Sequence, residues 1–503
     1  MKLLVANRGE IAVRIIRACR EMGLGTVAVY SDCDREALHV RIADEACYIG
    51  ASPAAESYLN IDRLVAAAVA LGATLVHPGY GFLAENAGFA SACERAGLTF
   101  VGPSPDVIRL MGDKHSARQA AVRAGVPVVP GTAQPFDVGV SDDVVLGAAE
   151  QIGYPLLVKA VAGGGGKGMR AVSKPADLPS ALRMARSEAA AAFGDGGIYL
   201  ERRLDTPRHI EVQLLADAHG TVVPFAEREC SIQRRHQKVV EESPSPVVGE
   251  RLRRELTEAA AAIARAVGYT NAGTIEFLLD SSGRFYFLEM NTRLQVEHPI
   301  TEAVTGVDLV VWQIRLALGE RLTVPVEQAL TPRGHAIECR IYAEDPDRGF
   351  MPAPGLVRAL TVPGGPSVRD DRGVAAGFEI PVFYDSLIAK LVVWGETRES
   401  AIARLRRALD EYRVVGVSTT LPFFRWLVEQ PAFAEAAFST TYLDGVLAAR
   451  QGQPFREPSS QDVQDAVVAA AVAAWSASHR ASTATPAEDR GTWRRAARLD
   501  SLR

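Results

Sequence analysis

Cysteine is scarce and scattered. Six cysteines, at positions 19, 33, 47, 93, 230 and 339, contain no C-x-x-C pair, so neither a zinc knuckle nor a disulfide framework is indicated, and a reducing compartment is the simpler expectation. Basic charge is not in excess: the net charge is −5, which argues against a nucleic-acid binder. Long apolar runs are missing too. The longest, Ala466–Trp475, is too short to span a bilayer. Residues 2–6 (KLLVA) already read as a strand, leaving no room for a signal peptide, so the expectation is a soluble, cytoplasmic protein with no membrane partner. Lysine is rare: only positions 2, 114, 159, 167, 174, 238 and 390 among 55 basic residues. There is no internal repeat.

A chain of 503 residues with 48% apolar and 23% charged residues is globular and too long for one core, so two to four domains are expected. Residues 2–6 and 26–30 read as strands, with Ile11, Ile15, Ile16, Cys19 and Met22 at helical spacing between them and Gly23 closing the helix. Helix 60–71, strand 74–77, helix 87–96 and strand 99–101 continue the pattern, giving a doubly wound sheet of about 110 residues. Its first turn, Asn7-Arg8-Gly9-Glu10, is not G-x-G-x-x-G, which argues against dinucleotide binding there. Residues 114–318 and 335–445 read as two α+β stretches. After Tyr442 come a Pro/Ser/Gln-rich segment, a short amphipathic helix over 463–475, a polar linker over 476–489 and a basic end.

Four consecutive glycines precede Lys167 in "PLLVKAVAGGGGKGMRAVS" (155–173). The Walker form fails, because Val161 and Gly168 stand where it needs Gly and Ser/Thr. Strands on both sides make this a glycine-rich hairpin, suited to fold over a ligand's phosphates, with Lys159 and Lys167 beside it; a plain hairpin is the alternative. In "EMNTRLQVE" (289–297), alternation puts Glu289, Asn291, Arg293, Gln295 and Glu297 on one face of an extended chain. If Asp280 pairs with Phe285, Glu276 lies opposite Glu289. Facing carboxylates repel, so either they are solvated on an outer face or a cation sits between them; the apolar neighbours Ile275, Phe277, Phe287 and Leu288 favour the cation, and oxygen ligands near a phosphate lid suggest Mg²⁺. "ECSIQRRHQKVVEE" (229–242) adds Gln233, His236 and Lys238 and reads as an anion-binding loop, with a solvated charge run the alternative; Cys230 is read as a packed thiol.

These stretches, with "ANRGEIAVRIIRA", "HPGYGFLAEN", "MGDKHSAR", "RHIEVQ", "EMNTRLQVEHPITE", "ECRIYAEDP" and "YDSLIAKL" in order over about residues 2–446, closely resemble biotin carboxylase, of the ATP-grasp superfamily. The resemblance implies an α/β and α+β multidomain chain: an N-terminal domain over 1–113, an ATP-grasp domain over 114–318 with a mobile lid over about 131–203, a C-terminal domain over 335–445, and a tail, 446–503, of unassigned role. It implies ATP contacts at Lys114, Lys159, Gly165, Gly166, Glu201, Leu204, His209, Gln233, His236, Glu276 and Glu289. Mg²⁺ (or Mn²⁺) falls to Glu276, Glu289 and Asn291; bicarbonate to Lys238, Arg293, Gln295, Val296 and Glu297, with Glu297 the base; and biotin to Tyr80 and Arg340, with Arg340 stabilising the biotin enolate.

Implied partners are a biotin carboxyl carrier protein, a carboxyltransferase and a second copy of the chain. Arg17, Glu21 and Arg369 match the family's dimer surface, although Pro366 stands where an aromatic is common. The final acceptor would be an acyl-CoA or, alternatively, pyruvate. The competing readings are another ATP-grasp ligase and a catalytically inactive interaction protein. None of the seven lysines sits in the Met-Lys-Met setting that carries biotin, so the carrier should be a separate polypeptide. An avidin blot of the purified chain is expected to show no biotin on it, and a biotinylated band at its mass would contradict this.

Overall fold

A computed structural model of the chain describes residues 1–160, 169–193, 196–457 and 460–482. The N-terminal sheet contains β1 (Lys2–Val5), β2 (Gly25–Ser31), β3 (Glu45–Gly50), β4 (Leu75–His77) and β5 (Thr99–Phe100), all parallel in the order β3-β2-β1-β4-β5. Helices α1 (Gly9–Glu21), α2 (Leu38–Ile42), α3 (Ile61–Ala70) and α4 (Ala87–Arg95) connect them. Alternation sends Leu3 and Val5 to the face packed by Ile11, Ile15 and Cys19, and Leu4 to the face packed by Leu64, Ala68 and Phe89. Strand β3 and helix α2 are additions to the sequence reading. The half-exposed β3 (EACYIG) carries too little apolar periodicity to announce itself.

The first turn is tied across the strand ends. Asn7 Nδ2 donates to the carbonyls of Pro78 (2.7 Å) and Tyr80 (2.8 Å), while Arg8 pairs with the buried Asp34 through two bonds of 2.6 and 2.7 Å.

A small antiparallel sheet follows: β6 (Leu156–Ala160), β7 (Met169–Val172) and β8 (Ile198–Arg202), in the order β7-β6-β8. It has its own core of Val145, Leu156, Val158, Leu182 and Leu200. The two strands expected to flank the glycine run are therefore present and paired. The run itself, with Gly165, Gly166 and Lys167, lies outside the described residues.

Among the described residues the largest sheet has nine strands: β9 (Arg208–Ala216), β10 (Val222–Pro224), β11 (Arg228–Arg234), β12 (Gln237–Ser243), β13 (Asn271–Leu279), β14 (Phe285–Asn291), β15 (His335–Tyr342), and the strands Leu387–Gly395 and Val368–Arg372. Its order is β14-β13-β9-β11-β12-β15, then Leu387–Gly395 and Val368–Arg372, with β10 on β9. The pairing of β12 with β15 makes one continuous sheet out of two stretches that the sequence reading kept apart. That pairing brings Arg340 to the same surface as Glu297.

A second unit begins at Pro454. Its helix, Ser460–Ser482, runs past the expected end at 475. Alanine-rich sequence with no proline between those bounds favours continuation.

Where Gly373 passes the first turn of the N-terminal sheet, a Cβ would stand 2.5 Å from the Glu10 amide nitrogen and 2.7 Å from the Gly9 carbonyl carbon. Backbone on both sides cannot give way cheaply. Gly373→Ala is expected to lower unfolding free energy by about 1–3 kcal/mol in a denaturant titration, and unchanged stability would contradict so close an approach.

Candidate active site

Strands β9, β13 and β14 are antiparallel neighbours, and their register places Glu211 beside Glu276 and Glu276 beside Glu289. Three carboxylates thus stand abreast on adjacent strands. The expected Glu276–Glu289 pair is present, reached by a different route: Leu279, not Asp280, pairs with Phe285, and a bulge between Glu276 and Phe277 restores the alignment.

The cation that answers them is Lys238. It comes from the β11–β12 hairpin, whose turn residues Arg235 and His236 both have positive φ (48° and 68°). Non-glycine residues held this way mark a tight two-residue turn under local strain. Lys238 Nζ donates to Glu211 Oε2 (2.5 Å), Glu276 Oε1 (2.8 Å) and Glu297 Oε1 (2.7 Å). A second cation, the fully buried Arg228, donates to Glu211, Gln213, Thr274 and Thr301.

The run 292–297 is bent rather than extended, and β14 ends at Asn291. Its polar side chains nevertheless converge. Glu276 Oε1 accepts from Asn291 Nδ2 (2.9 Å) and Gln295 Nε2 (3.0 Å). Arg293 donates to Asn291 Oδ1 (2.9 Å), Gln295 Oε1 (2.8 Å) and Glu85 Oε2 (2.7 Å). Glu297, fully buried just before the helix His298–Thr305, accepts from Arg340 at 2.9 Å on its other oxygen. The Val296 carbonyl accepts from the buried Lys390 at 2.8 Å.

Burial alone would raise the carboxyl pKa values of Glu276 and Glu297. Lys238 and His209 override it at Glu276, and Lys238, Arg340 and Arg228 at Glu297, holding both below the ordinary carboxylate range. Lys238 is held well above the ordinary lysine value by the three carboxylates, against desolvation. Glu289 goes the other way, raised by burial and by Glu276. Burial also pushes the Cys230 thiol well up, which suits a packed, inert sulfur.

Two cavities flank this cluster. The first, of about 240 Å³, is lined by Lys114, Lys159, Glu201, His209, Gln233, His236, Glu276 and Glu289, together with Arg118, Tyr199 and Met169. Leu204 is not on its wall; it lies in the connection from β8 to β9, where the chain has left the strand that carries Glu201. The second cavity, of about 530 Å³, is lined by Tyr80, Arg340, Arg293 and Val296 with Arg8, Phe82, Phe383 and Tyr384. Lys238 and Glu297 lie between them: Lys238 bonds Glu276 of the first wall, and Glu297 bonds Arg340 of the second.

Sequence reasoning did not single out Glu211, Arg228, Glu85, Glu241 or Lys390. Glu211 was within reach, because "RHIEVQ" puts His209, Glu211 and Gln213 on one strand face. The others depend on long-range packing.

The residues fit a divalent cation. Glu276 and Glu289 stand opposed at the first cavity with Asn291 adjacent, and one ligand atom from each of His209, Glu211 and Glu276 falls within 4.8 Å of the others.

Removing the shared cation has a signed consequence. Glu276 and Glu297 now stabilise the fold above the ordinary carboxylate range, and that stability is lost as pH falls through their depressed folded values. In Lys238→Met the carboxylates would be buried without their cation, with folded pKa values raised, so the cost grows as pH rises. We expect a loss of about 3–5 kcal/mol near neutrality that shrinks on acidification, read from denaturant unfolding at several pH values. A loss independent of pH would contradict the shared-cation picture.

Family models match almost the whole length up to residue 445: biotin carboxylase, N-terminal domain, over 1–108; carbamoyl-phosphate synthase L chain, ATP binding domain, over 113–324; and biotin carboxylase C-terminal domain over 338–445. A biotin carboxylase of Nostoc is 53% identical over 442 residues, covering 88% of this chain and 98% of the relative. A pyruvate carboxylase subunit of Methanothermobacter thermautotrophicus is also 53% identical, over 88% of this chain and 89% of the relative. Among solved structures, the biotin carboxylase domain dimer of Hydrogenobacter thermophilus 2-oxoglutarate carboxylase, in complex with MgADP, ADP and bicarbonate, matches with TM-score 0.85 and 46% identity, over 91% of this chain and 99% of that one. A Campylobacter jejuni biotin carboxylase in complex with a β,γ-ATP ligand matches with TM-score 0.84 and 45% identity, over 88% and 98%. With its ordered motifs, its sheet and this similarity across nine-tenths of its length, the chain belongs to the biotin carboxylase family.

Proposed function

We propose a division of labour for the ATP-dependent carboxylation of biotin by this chain. The first cavity binds ATP, with Lys114, Lys159, Glu201, His209, Gln233 and His236 around the nucleotide. Glu276, Glu289 and Asn291 would hold Mg²⁺, which neutralises phosphate charge when bound. Phosphoryl transfer asks for positioning and charge neutralisation above all, and lysines beside opposed carboxylates supply both. Nucleotide, Mg²⁺ and bicarbonate in the Hydrogenobacter relative support this assignment.

Bicarbonate sits among Lys238, Arg293, Gln295, the Val296 backbone and Glu297. Glu297 takes its proton, and the anion attacks the γ-phosphorus to give carboxyphosphate and ADP. Carboxyphosphate releases CO₂ beside biotin in the second cavity, near Tyr80. The phosphate accepts the N1 proton, and Arg340 stabilises the enolate that attacks CO₂. The single observation that carries this reading is the junction of the cavities: Glu297 accepts from Lys238 on one oxygen and from Arg340 on the other.

We read the biotin as held by a separate carrier protein and the carboxyl group as passed to a carboxyltransferase. The final acceptor is read as an acyl-CoA or, alternatively, as pyruvate, the latter in line with a relative named as a pyruvate carboxylase subunit. Division at 1–113, 114–318 and 335–445 is supported by the family matches. A homodimer using Arg17 and Glu21 is supported by their exposure; Arg369 is half-buried and also pairs with Glu302 and Asp371. No helix among the described residues is long and apolar enough to cross a membrane.

General bases contribute about 10²–10⁴-fold. Glu297→Gln should lower bicarbonate-dependent ATP cleavage by that factor with ATP affinity preserved. Arg340→Ala should cut biotin carboxylation far more than biotin-independent ATP cleavage. Near-normal ATP cleavage by Glu297→Gln would remove that residue from the base role.

A further inference from the structure

Behind Arg340 lies a second group of buried carboxyls that the mechanism above does not use. Glu241 on β12 and Glu338 on β15 are direct cross-strand partners, and both are fully buried. Directly opposed residues have Cβ atoms about 4.5–5.5 Å apart, so two ionised carboxylates there would repel in a dry environment.

The cations nearby are already engaged. Arg340 Nη2 lies 2.6 Å from Glu241 Oε1 and donates to Glu297 Oε2 at 2.9 Å. Lys390, opposite Arg340 on the next strand, donates to the Val296 carbonyl at 2.8 Å and lies 3.1 Å from Glu10. Asp371, opposite Lys390 on the edge strand, pairs with Arg369. Lys238 serves Glu211, Glu276 and Glu297. No oxygen of Glu338 or Glu241 accepts a hydrogen bond among the described residues, and of the two only Glu241 has a close ion pair, with Arg340. The groups that act on the pair are Arg340, Lys390, Lys238 and Glu297, with the thiols of Cys230 and Cys339 beside it, and among the described residues no cation is left for Glu338 alone.

We propose that Glu241 and Glu338 hold one proton between them, and that this half-neutral pair fixes the Arg340 guanidinium between Glu241 and Glu297. Its charge then remains in surplus toward the second cavity. Two full negative charges behind the guanidinium, added to Glu297, would cancel the field it presents to an enolate. Glu241 is a positioning residue in this account, and Glu338 sets the charge of the pair. Burial supports the proton: it raises Glu338 well above the ordinary value and Glu241 to about 7. The catalytic consequence rests on the role of Arg340 given above; the proton itself does not.

Glu338→Gln imitates the protonated acid, which gives the test a sign. A carboxyl whose folded pKa is raised costs stability as pH climbs from the unfolded value toward the folded one. The melting temperature of Glu338→Gln should therefore match the wild type at about pH 5 and exceed it increasingly toward about pH 9. A gap independent of pH, or a variant less stable at every pH, overturns the proposal. Infrared difference spectra between wild type and Glu338→Gln at neutral pH should show a protonated-carboxyl band only in the wild type, and its absence there overturns the shared proton. Glu241→Gln should lower biotin carboxylation about tenfold more than biotin-independent ATP cleavage, through loss of its close ion pair with Arg340, with partial recovery in Glu241→Asp. An equal fall in both rates overturns the positioning role. Failure of the Arg340 assignment itself would appear separately, as undiminished carboxylation in Arg340→Ala with the infrared band intact.

Discussion

One ammonium group shared by three carboxylates is the constraint on which the rest of this active site depends. Lys238 bonds Glu211, Glu276 and Glu297 at once, from a turn with two non-glycine residues at positive φ. Buried carboxylates on adjacent strands would otherwise be forced apart or protonated. With Lys238 and Arg228 in place, the sheet can keep Glu211, Glu276 and Glu289 abreast, and the two cavities meet at a fixed point.

The same cluster defines a tension at Glu297. In the proposed role of base Glu297 must be ionised, and Lys238, Arg340 and Arg228 ensure that. Cations that hold a carboxylate ionised also weaken its hold on a proton. Bicarbonate bound to Lys238 and Arg293, as proposed, would take up part of that positive charge and return basicity to Glu297 at the moment a proton is there to be taken. The resting ion pairs would in this sense be a ground state that substrate dismantles. Arg340 experiences the counterpart: carboxylates on two sides hold it in place, and in its proposed role it would serve a developing enolate only while they do not outweigh it.

Much of this was legible from residue patterns. Alternation within 289–297 named the side chains that converge, and the β-α-β rhythm gave the N-terminal sheet. The register of Glu276 against Glu289 came out right although the loop pairing behind it was off by one, because a bulge compensates; backbone irregularities of this kind leave no mark on composition. Leu204 was placed by resemblance and lies off the cavity wall. Arg228, Glu85 and Lys390 were invisible for a different reason. Each owes its role to partners far away in the chain, as with Glu85 and Arg293 or Lys390 and Glu10, and no local pattern encodes those meetings. The union of β12 with β15 is the largest such case, turning two apparent α+β stretches into one sheet.

The scarcity of lysine offers a direct way to test the central claim. With only seven lysines in the chain, the side-chain nitrogen resonances of a ¹⁵N-lysine-labelled protein can be assigned by single substitution and followed through a pH titration. If Lys238 is the shared cation, its Nζ stays an ammonium to well above the ordinary lysine value of about 10.4. A Lys238 resonance that loses its proton at or below that value would contradict the account.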